Sequence, residues 1–384
     1  MPNIHLDRVP RIVQGVDSLA EIGGLIAGLA PKGAAVLLVI DPGLNATATP
    51  GIAEESLKSA GYQVHRFDKL KSDPTMASVD EAAGIARAAK AAAVVSIGGG
   101  SGMDVGKCVA AIAGADLPTA HYGLCANPFP KNRLANICVP TTSGTGSETT
   151  RTGVFADAEG AKIWLWGDEM KPDLVVLDPR VTVGLPPHLT AATGIDALVH
   201  ALEAATNVNA NAANNVFCHE AIRLVVRHLP KAVANPGDLE ARGGLQWAAC
   251  LAGIGIDNCG TAIAHNIGHA LASLRPIHHG RAVGLALNAT LAWNIVGDDG
   301  RFAEVALAMG GPRDAAYVPK AFDKLLREVG VKISLRGEGH DAITAQQLAA
   351  QMARPENAPM RRSNRRTVED ADLLTFATTL LSEP

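Results

Sequence analysis

The chain has 384 residues, of which 47% are hydrophobic, and its 34 Lys and Arg stand against 38 Asp and Glu for a net charge of −4. Such a length suggests about two or three domains with room for sizeable cores. A nearly balanced charge without runs of one sign gives no reason to expect nucleic acid or a membrane surface as a partner.

The cysteines Cys108, Cys125, Cys138, Cys218, Cys250 and Cys259 are scattered, with no C-x-x-C. That speaks against a disulfide framework and against a thiolate metal site. The opening MPNIHLDRVPRIV lacks the basic-then-apolar pattern of a signal peptide. The apolar runs near 34–40 and 91–97 are too short to span a bilayer. The expectation is a soluble cytoplasmic protein.

Residues 4–14 mix β-formers with polar residues and predict a short strand. VDSLAEIGGLIAGL follows with helical spacing and Asp17 or Ser18 as N-cap. AAVLLVID, ending at Asp41, is a continuous apolar run of the kind that forms a parallel strand covered on both faces. A helix near 50–60, the strand YQVHRFD and a helix over 76–90 come next. AAAVVSIGGGSGMDVGKCVAAIA then reads as strand, glycine turn and helix, and NICVPTTSGTGSETT as a strand at 136–139 with a Thr-, Ser- and Gly-rich loop. DLVVLD at 173–178 is the last clear strand. Strands alternating with helices predict an α/β layer around a parallel sheet.

Composition changes at LPPH, 185–188. The segments 190–207, 211–234, 239–256, 260–274, 280–296, 301–310 and 315–329 all predict helix. We expect a dinucleotide-binding α/β domain over 1–185 and an all-helical domain over 186–384. RPENAPMRRSNRR, near 354–366, reads as a solvated loop before a final helix.

Two stretches carry chemistry. In SIGGGSGMD the glycines lie between a strand and a helix, where the backbone can approach a ligand and free helix amides can meet an anion, a diphosphate above all. Asp41, at an earlier strand end, suits the ribose hydroxyls of an adenosine and would repel a 2′-phosphate, which favours NAD over NADP. TTSGTGSE supplies hydroxyls and loop glycines for the same ligand. The second stretch runs from Gly194 to Gly280. Asp196 and His200 are four residues apart on one helix face, His265 and His269 repeat the spacing, and His279 follows in HHG. A single D-x-x-x-H pair is weak, but a carboxylate and several imidazoles in nearly uncharged Ala/Gly/Ile-rich segments fit an Fe²⁺ or Zn²⁺ site.

These motifs resemble the iron-containing (group III) alcohol dehydrogenases over essentially the whole chain. The resemblance rests on GGGSGMD (98–104), PTTSGTGSE (140–148), LPPHLTAATGIDALVHALEA (185–204) and NCGTAIAHNIGHALA followed by HHG (258–280). It implies a Rossmann-like α/β domain, an all-α domain, and an active site in the cleft between them. It implies NAD(H) and a divalent metal as cofactors, Fe²⁺ foremost and Zn²⁺ as the alternative. The metal ligands would be Asp196, His200, His265 and His279, with His269 beside the nicotinamide as the catalytic residue. The cofactor-binding set would be Asp41, Gly98, Gly99, Gly100, Ser101, Asp104, Thr141, Thr142, Thr145 and Lys162. The activity implied is interconversion of a small alcohol and its aldehyde or ketone by hydride transfer, in a homodimer joined through the N-terminal strand. His278 stands where the family often has Pro, and Asn266 where a small residue is common; both are expected near the substrate pocket. The alternatives are a maleylacetate reductase-like enzyme, which lacks the metal set, and a metal- and NAD-using lyase of the dehydroquinate synthase type.

Overall fold

Two six-residue runs, AVLLVI and AVVSIG, are buried along their whole length, and they form neighbouring strands β2 (Ala35–Ile40) and β4 (Ala93–Gly98). The computed structural model describes residues 4–158, 162–336 and 339–382. It divides into two units: one takes Arg8–Thr142 and Gly146–Gly184, the other Ser143–Thr145, the chain from Leu185 onward and the segment ending at Asp7.

In the first unit β1 (Arg11–Gln14), β3 (Gln63–Phe67), β5 (Ala135–Pro140) and β8 (Leu174–Leu177) complete a six-stranded parallel sheet in the order β1-β8-β5-β4-β2-β3. Side chains alternate across it. Leu37, Val39 and Val94 join a core with α3 (Met76–Ala88) and α4 (Gly100–Ile112). Val36, Leu38, Ile40, Val95 and Ile97 join the opposite core with α1 (Ile22–Leu25) and α2 (Thr49–Ser59). Helices on both faces explain why these strands are apolar throughout rather than alternating. The chain steps from β2 outward to β3 and then back past β2 to β4, so the direction of winding reverses between β2 and β4. In such sheets ligands bind beyond the carboxyl ends of the strands at that reversal.

The second unit is helical: α5 (Pro187–Thr206), α6 (Ala212–Ala234), α7 (Leu239–Cys259), α8 (Ile263–Leu274), α9 (His279–Asn294), α10 (Arg301–Ala308), α11 (Tyr317–Glu328), α12 (Ala345–Met352), α13 (Ala358–Ser363) and α14 (Asp370–Ser382). Helix α5 is buried from Thr190 to Thr206 and packs against α6, α7 and α9. Its abundance of alanine lets those helices close in on every side, as expected of a helix without a polar face.

Several expectations change. The strand foreseen over 4–14 is confined to Arg11–Gln14: Pro10 has no N–H to donate, and the Asp7 amide is taken by the Asn258 side chain at 2.8 Å. The helix foreseen after Val16 is a 3₁₀ turn (Ser18–Glu21) followed by the single turn α1, because Gly23 and Gly24 sit inside it. Asp17 has φ 66° and caps nothing; it pairs with Arg180 at 2.7 Å. An antiparallel hairpin of β6 (Thr152–Ala156) and β7 (Lys162–Trp166) was not foreseen. The stretch 354–366 is not simply a solvated loop. It contains α13, Arg361 donates twice to the Val368 carbonyl, and the Arg366 guanidinium lies 3.8 Å over the Trp293 ring.

Candidate metal and dinucleotide sites

At the carboxyl edge of the parallel sheet, β4 runs directly into α4. Gly99 is the N-cap of α4 and no side chain caps it, so the first-turn amides present partial positive charge to that edge. Gly98 is required by packing. A Cβ there would lie 2.9 Å from the Cβ of Asp41, and the Asp41 amide donates to the Ile97 carbonyl at 3.0 Å. The Thr141 amide donates to the Gly98 carbonyl at 2.9 Å, and a Cβ on Gly99 would be 3.4 Å from the Thr142 side chain. Asp41, Gly98, Gly99, Gly100, Ser101, Thr141 and Thr142 therefore share one edge. The Asp41 carboxylate also accepts from the Gly43 amide at 2.9 Å, which holds the turn after β2.

Two expected cofactor contacts are engaged elsewhere. The Asp104 carboxylate accepts from the Ser147 hydroxyl and the Val154 amide and lies 3.1 Å from Lys107 Nζ. It belongs with the fully buried Lys107, whose ammonium donates to the Ser147 and Thr150 carbonyls, in a clamp between α4 and the 147–154 segment. Lys162 is exposed and pairs with Asp73 at 3.0 Å. Thr145 falls in the 143–145 segment of the helical unit.

In the helical unit, Asp196, His200, His265 and His279 converge, with one potential ligand atom from each within 4.8 Å of the others. Around Asp196 Oδ1, His200 Nε2 lies at 3.7 Å, His265 Nε2 at 3.9 Å and His279 Nε2 at 3.6 Å. Four donors bound at about 2.1 Å to one tetrahedral ion stand roughly 3.4 Å apart, so the cluster is close to the size such an ion requires. Asp196 Oδ1 and His265 Nε2 are buried without a hydrogen-bond partner. Buried polar atoms left so would cost several kcal/mol, on the order of 3 or more for an ionised group. The donor set thus fits a divalent cation.

The local sequence explains the convergence. Asp196 and His200 share a face of α5 by their spacing. His279 opens α9, and Gly280 lets α9 touch α5: a Cβ on Gly280 would lie 2.2 Å from the Ala192 carbonyl oxygen and 3.0 Å from the Asp196 Cβ. Gly280→Ala is therefore expected to cost about 2 kcal/mol by overpacking and to push His279 outward. Melting temperature and metal content should fall together; a stable variant with full metal would disconnect Gly280 from the site. His278, the residue before, is exposed and serves as the N-cap position of α9.

Burial raises the Asp196 carboxyl above its ordinary range, while His200 and His278 oppose the rise. Burial, with His200 and His269 adding to it, holds His265 well below an ordinary imidazole. His265 is therefore neutral and keeps a lone pair for a cation. His269, one turn further along α8, is half-buried, with its ring centroid 5.3 Å from that of His279 and 6.2 Å from that of His265.

A family model described as iron-containing alcohol dehydrogenase matches residues 10–179, and one for the C-terminal part of the Fe-containing alcohol dehydrogenase family matches 190–377. The chain belongs to the iron-containing alcohol dehydrogenase family. The sulfoacetaldehyde reductase of Bilophila wadsworthia (strain 3_1_6) is 32% identical over 342 residues, 86% of this chain and 87% of that one. The NAD-dependent methanol dehydrogenase of Bacillus methanolicus is 32% identical over 303 residues, 78% of each chain. The crystal structure of sulfoacetaldehyde reductase from Bifidobacterium kashiwanohense in complex with NAD⁺ matches with a TM-score of 0.92 at 26% identity, covering 100% of both chains. As a member of this family the chain is an oxidoreductase that exchanges hydride between an alcohol and its aldehyde or ketone. Its cofactors are NAD(H) and a divalent metal, typically iron in this family.

One residue beside the four-donor cluster had not been singled out from the sequence. Glu203 is buried on α5, accepts from the Ala262 amide at 2.8 Å and the Ala264 amide at 2.6 Å, and meets His265 Nδ1 at 2.6 Å. Burial pushes its carboxyl up to about 7, against the pull of these donors. Its signal was the spacing Asp196, His200, Glu203, which places all three on one stripe of the helix. Asn266, expected near the substrate, is instead fully buried. Its amide donates to the Met352 and Asn357 carbonyls at 3.0 and 2.9 Å, tying α8 to the 352–357 segment.

Proposed function

We propose that Asp196, His200, His265 and His279 hold the divalent ion, and that Asp41, Gly98, Gly99, Gly100, Ser101, Thr141 and Thr142 bind NAD(H). The observation that carries the metal assignment is the pair of buried atoms, Asp196 Oδ1 and His265 Nε2, without a hydrogen-bond partner in a ring of imidazole nitrogens. A divalent ion in this place supplies positive charge that lowers the pKa of a substrate hydroxyl, and NAD⁺ supplies the hydride acceptor.

The protein's own groups set the stage. Three imidazoles and one carboxylate around a divalent ion leave net positive charge on the centre. The side chains of Asp196, His200 and His265 are 3–6% exposed and that of His279 is 39% exposed, so the substrate enters from the His279 side. His269 lies on that same side and is assigned to moving the alcohol proton toward solvent or steadying the nicotinamide. The substrate is a small alcohol or its carbonyl partner.

At the sheet edge, the uncapped start of α4 takes the diphosphate and Asp41 the adenosine ribose. Asp41→Gly removes a charge that repels a 2′-phosphate, so the ratio of kcat/KM for NADP over NAD is expected to rise by about tenfold. An unchanged ratio would move Asp41 out of the site. Asp104 and Lys162 are left out of this set, given their partners.

The homodimer and a cytoplasmic location are part of the same reading. Strand β1 lies at the end of the sheet order, and Ile4 and Leu6 are 53% and 46% exposed beside it in sequence, which supports pairing of two chains there. Among the described residues no helix is long and apolar enough to cross a membrane. The test of function is a panel of primary alcohols and aldehydes, run on metal-stripped protein with NAD(H) and with Fe²⁺ or Zn²⁺ added. Turnover is expected only when both cofactor and ion are present. Full turnover with a chelator in place of the ion would overturn the proposal.

A further inference from the structure

We infer that Glu203 is a positioning residue: it fixes the proton of His265 on Nδ1 and thereby sets how tightly the site holds its ion. The inference rests on the ligand set proposed above.

The geometry leaves Glu203 a narrow role. Its carboxylate is 3% exposed and is met by two amide donors and one imidazole nitrogen from one short stretch, 262–265. Oε2 receives the Ala262 amide and Oε1 the Ala264 amide. Backbone amides only donate, so both carboxylate oxygens are acceptors. The contact of Oε2 with His265 Nδ1 at 2.6 Å is short even for a charge-assisted bond. With the carboxylate ionised, as its two amide donors favour, Oε2 has no proton to give, so the proton in this contact is on Nδ1 and the lone pair is left on Nε2. Nε2 is the atom that lies 3.9 Å from Asp196 Oδ1 without a hydrogen-bond partner. A carboxylate behind an imidazole also makes it a more basic ligand. His200 is held in a weaker version of this arrangement, its Nδ1 lying 3.3 Å from the Gly144 carbonyl oxygen.

The same carboxylate anchors backbone. Ala262 is the N-cap position of α8 and offers no side-chain cap. Glu203 satisfies its amide and that of Ala264 from another helix, so it holds both the start of α8 and the ring that α8 carries. A purely structural Glu203 would do the first without affecting the second, and the two are separable by experiment.

Glu203→Gln keeps the size of the side chain but replaces one acceptor oxygen with a donor. Histidine-¹⁵N-labelled, metal-stripped full-length protein is examined by NMR for the His265 tautomer, and then titrated with Co²⁺. The wild type is expected to show the Nδ1–H form. The variant is expected to move toward Nε2–H and to bind Co²⁺ about 10- to 100-fold more weakly at unchanged stoichiometry. A folded variant with wild-type Co²⁺ affinity, or with a lower melting temperature as its sole change, overturns the inference. So does an Nε2–H tautomer in the wild type, and that measurement decides the matter if the variant does not fold. His200→Ala and His265→Ala are the controls: if they bind Co²⁺ like the wild type, the ligand set itself is wrong. If they lose the ion and Glu203→Gln does not, the ligand set stands and the role of Glu203 falls.

Discussion

Replacing His265 with alanine is expected to strip the ion and to lower kcat/KM by about 10³-fold, a loss of roughly 4 kcal/mol in transition-state stabilisation. Two separate consequences produce so large an effect. The site loses one of four donors, and it is one that burial holds well below an ordinary imidazole. Glu203 also loses the imidazole at 2.6 Å and is left with its two amides. Those amides keep the start of α8 in place, so the variant is expected to fold, with a reduced melting temperature from the buried void. Metal analysis, circular dichroism and steady-state kinetics on one preparation check this. Full metal occupancy with normal turnover would show that His265 is not a ligand.

His269→Ala should behave differently. The ring lies over 5 Å, centre to centre, from both neighbouring imidazoles, and it falls outside the cluster of four donors. Metal content is expected to stay at the wild-type level while kcat falls about 10²-fold, the size of effect typical for a proton-transfer group. Loss of metal would make His269 a ligand. Normal turnover per folded molecule with a lower melting temperature would make it a packing residue. Measuring metal, melting temperature and kcat on the same variant separates the three.

The donors were legible because each is conspicuous locally. Asp196 and His200 interrupt a stretch of Ala, Leu and Val at helical spacing, His265 interrupts a similar one, and His279 stands in the HHG that follows it. The glycine turn was legible because linkers do not sit between a buried strand and an apolar helix. Glu203 was not, although it lies seven residues after Asp196 on the same helix. A helical glutamate reads as solvated, and its partners, Ala262, Ala264 and His265, lie about sixty residues away with no pattern of their own. Asp104 shows the converse: its place in the glycine motif suggested the cofactor, and its ties to Lys107 one turn later and to Ser147 had no local signal. Asn266 likewise sits next to a metal donor in sequence, but neighbours in a helix point about 100° apart, and it faces the 352–357 segment instead. The hairpin β6–β7 lacks the long apolar run that marks a buried parallel strand. These are two short strands of alternating burial, with Phe155 inward on one and Leu165 on the other.

X-ray absorption at the metal edge, combined with anomalous diffraction from the same active protein, tests the central claim most directly. One ion should appear per chain, bound by three imidazole nitrogens and one carboxylate oxygen at about 2.0–2.2 Å, with the anomalous peak enclosed by Asp196, His200, His265 and His279. An active enzyme whose ion sits elsewhere, or whose ion lacks any one of these four residues as a ligand, would contradict it.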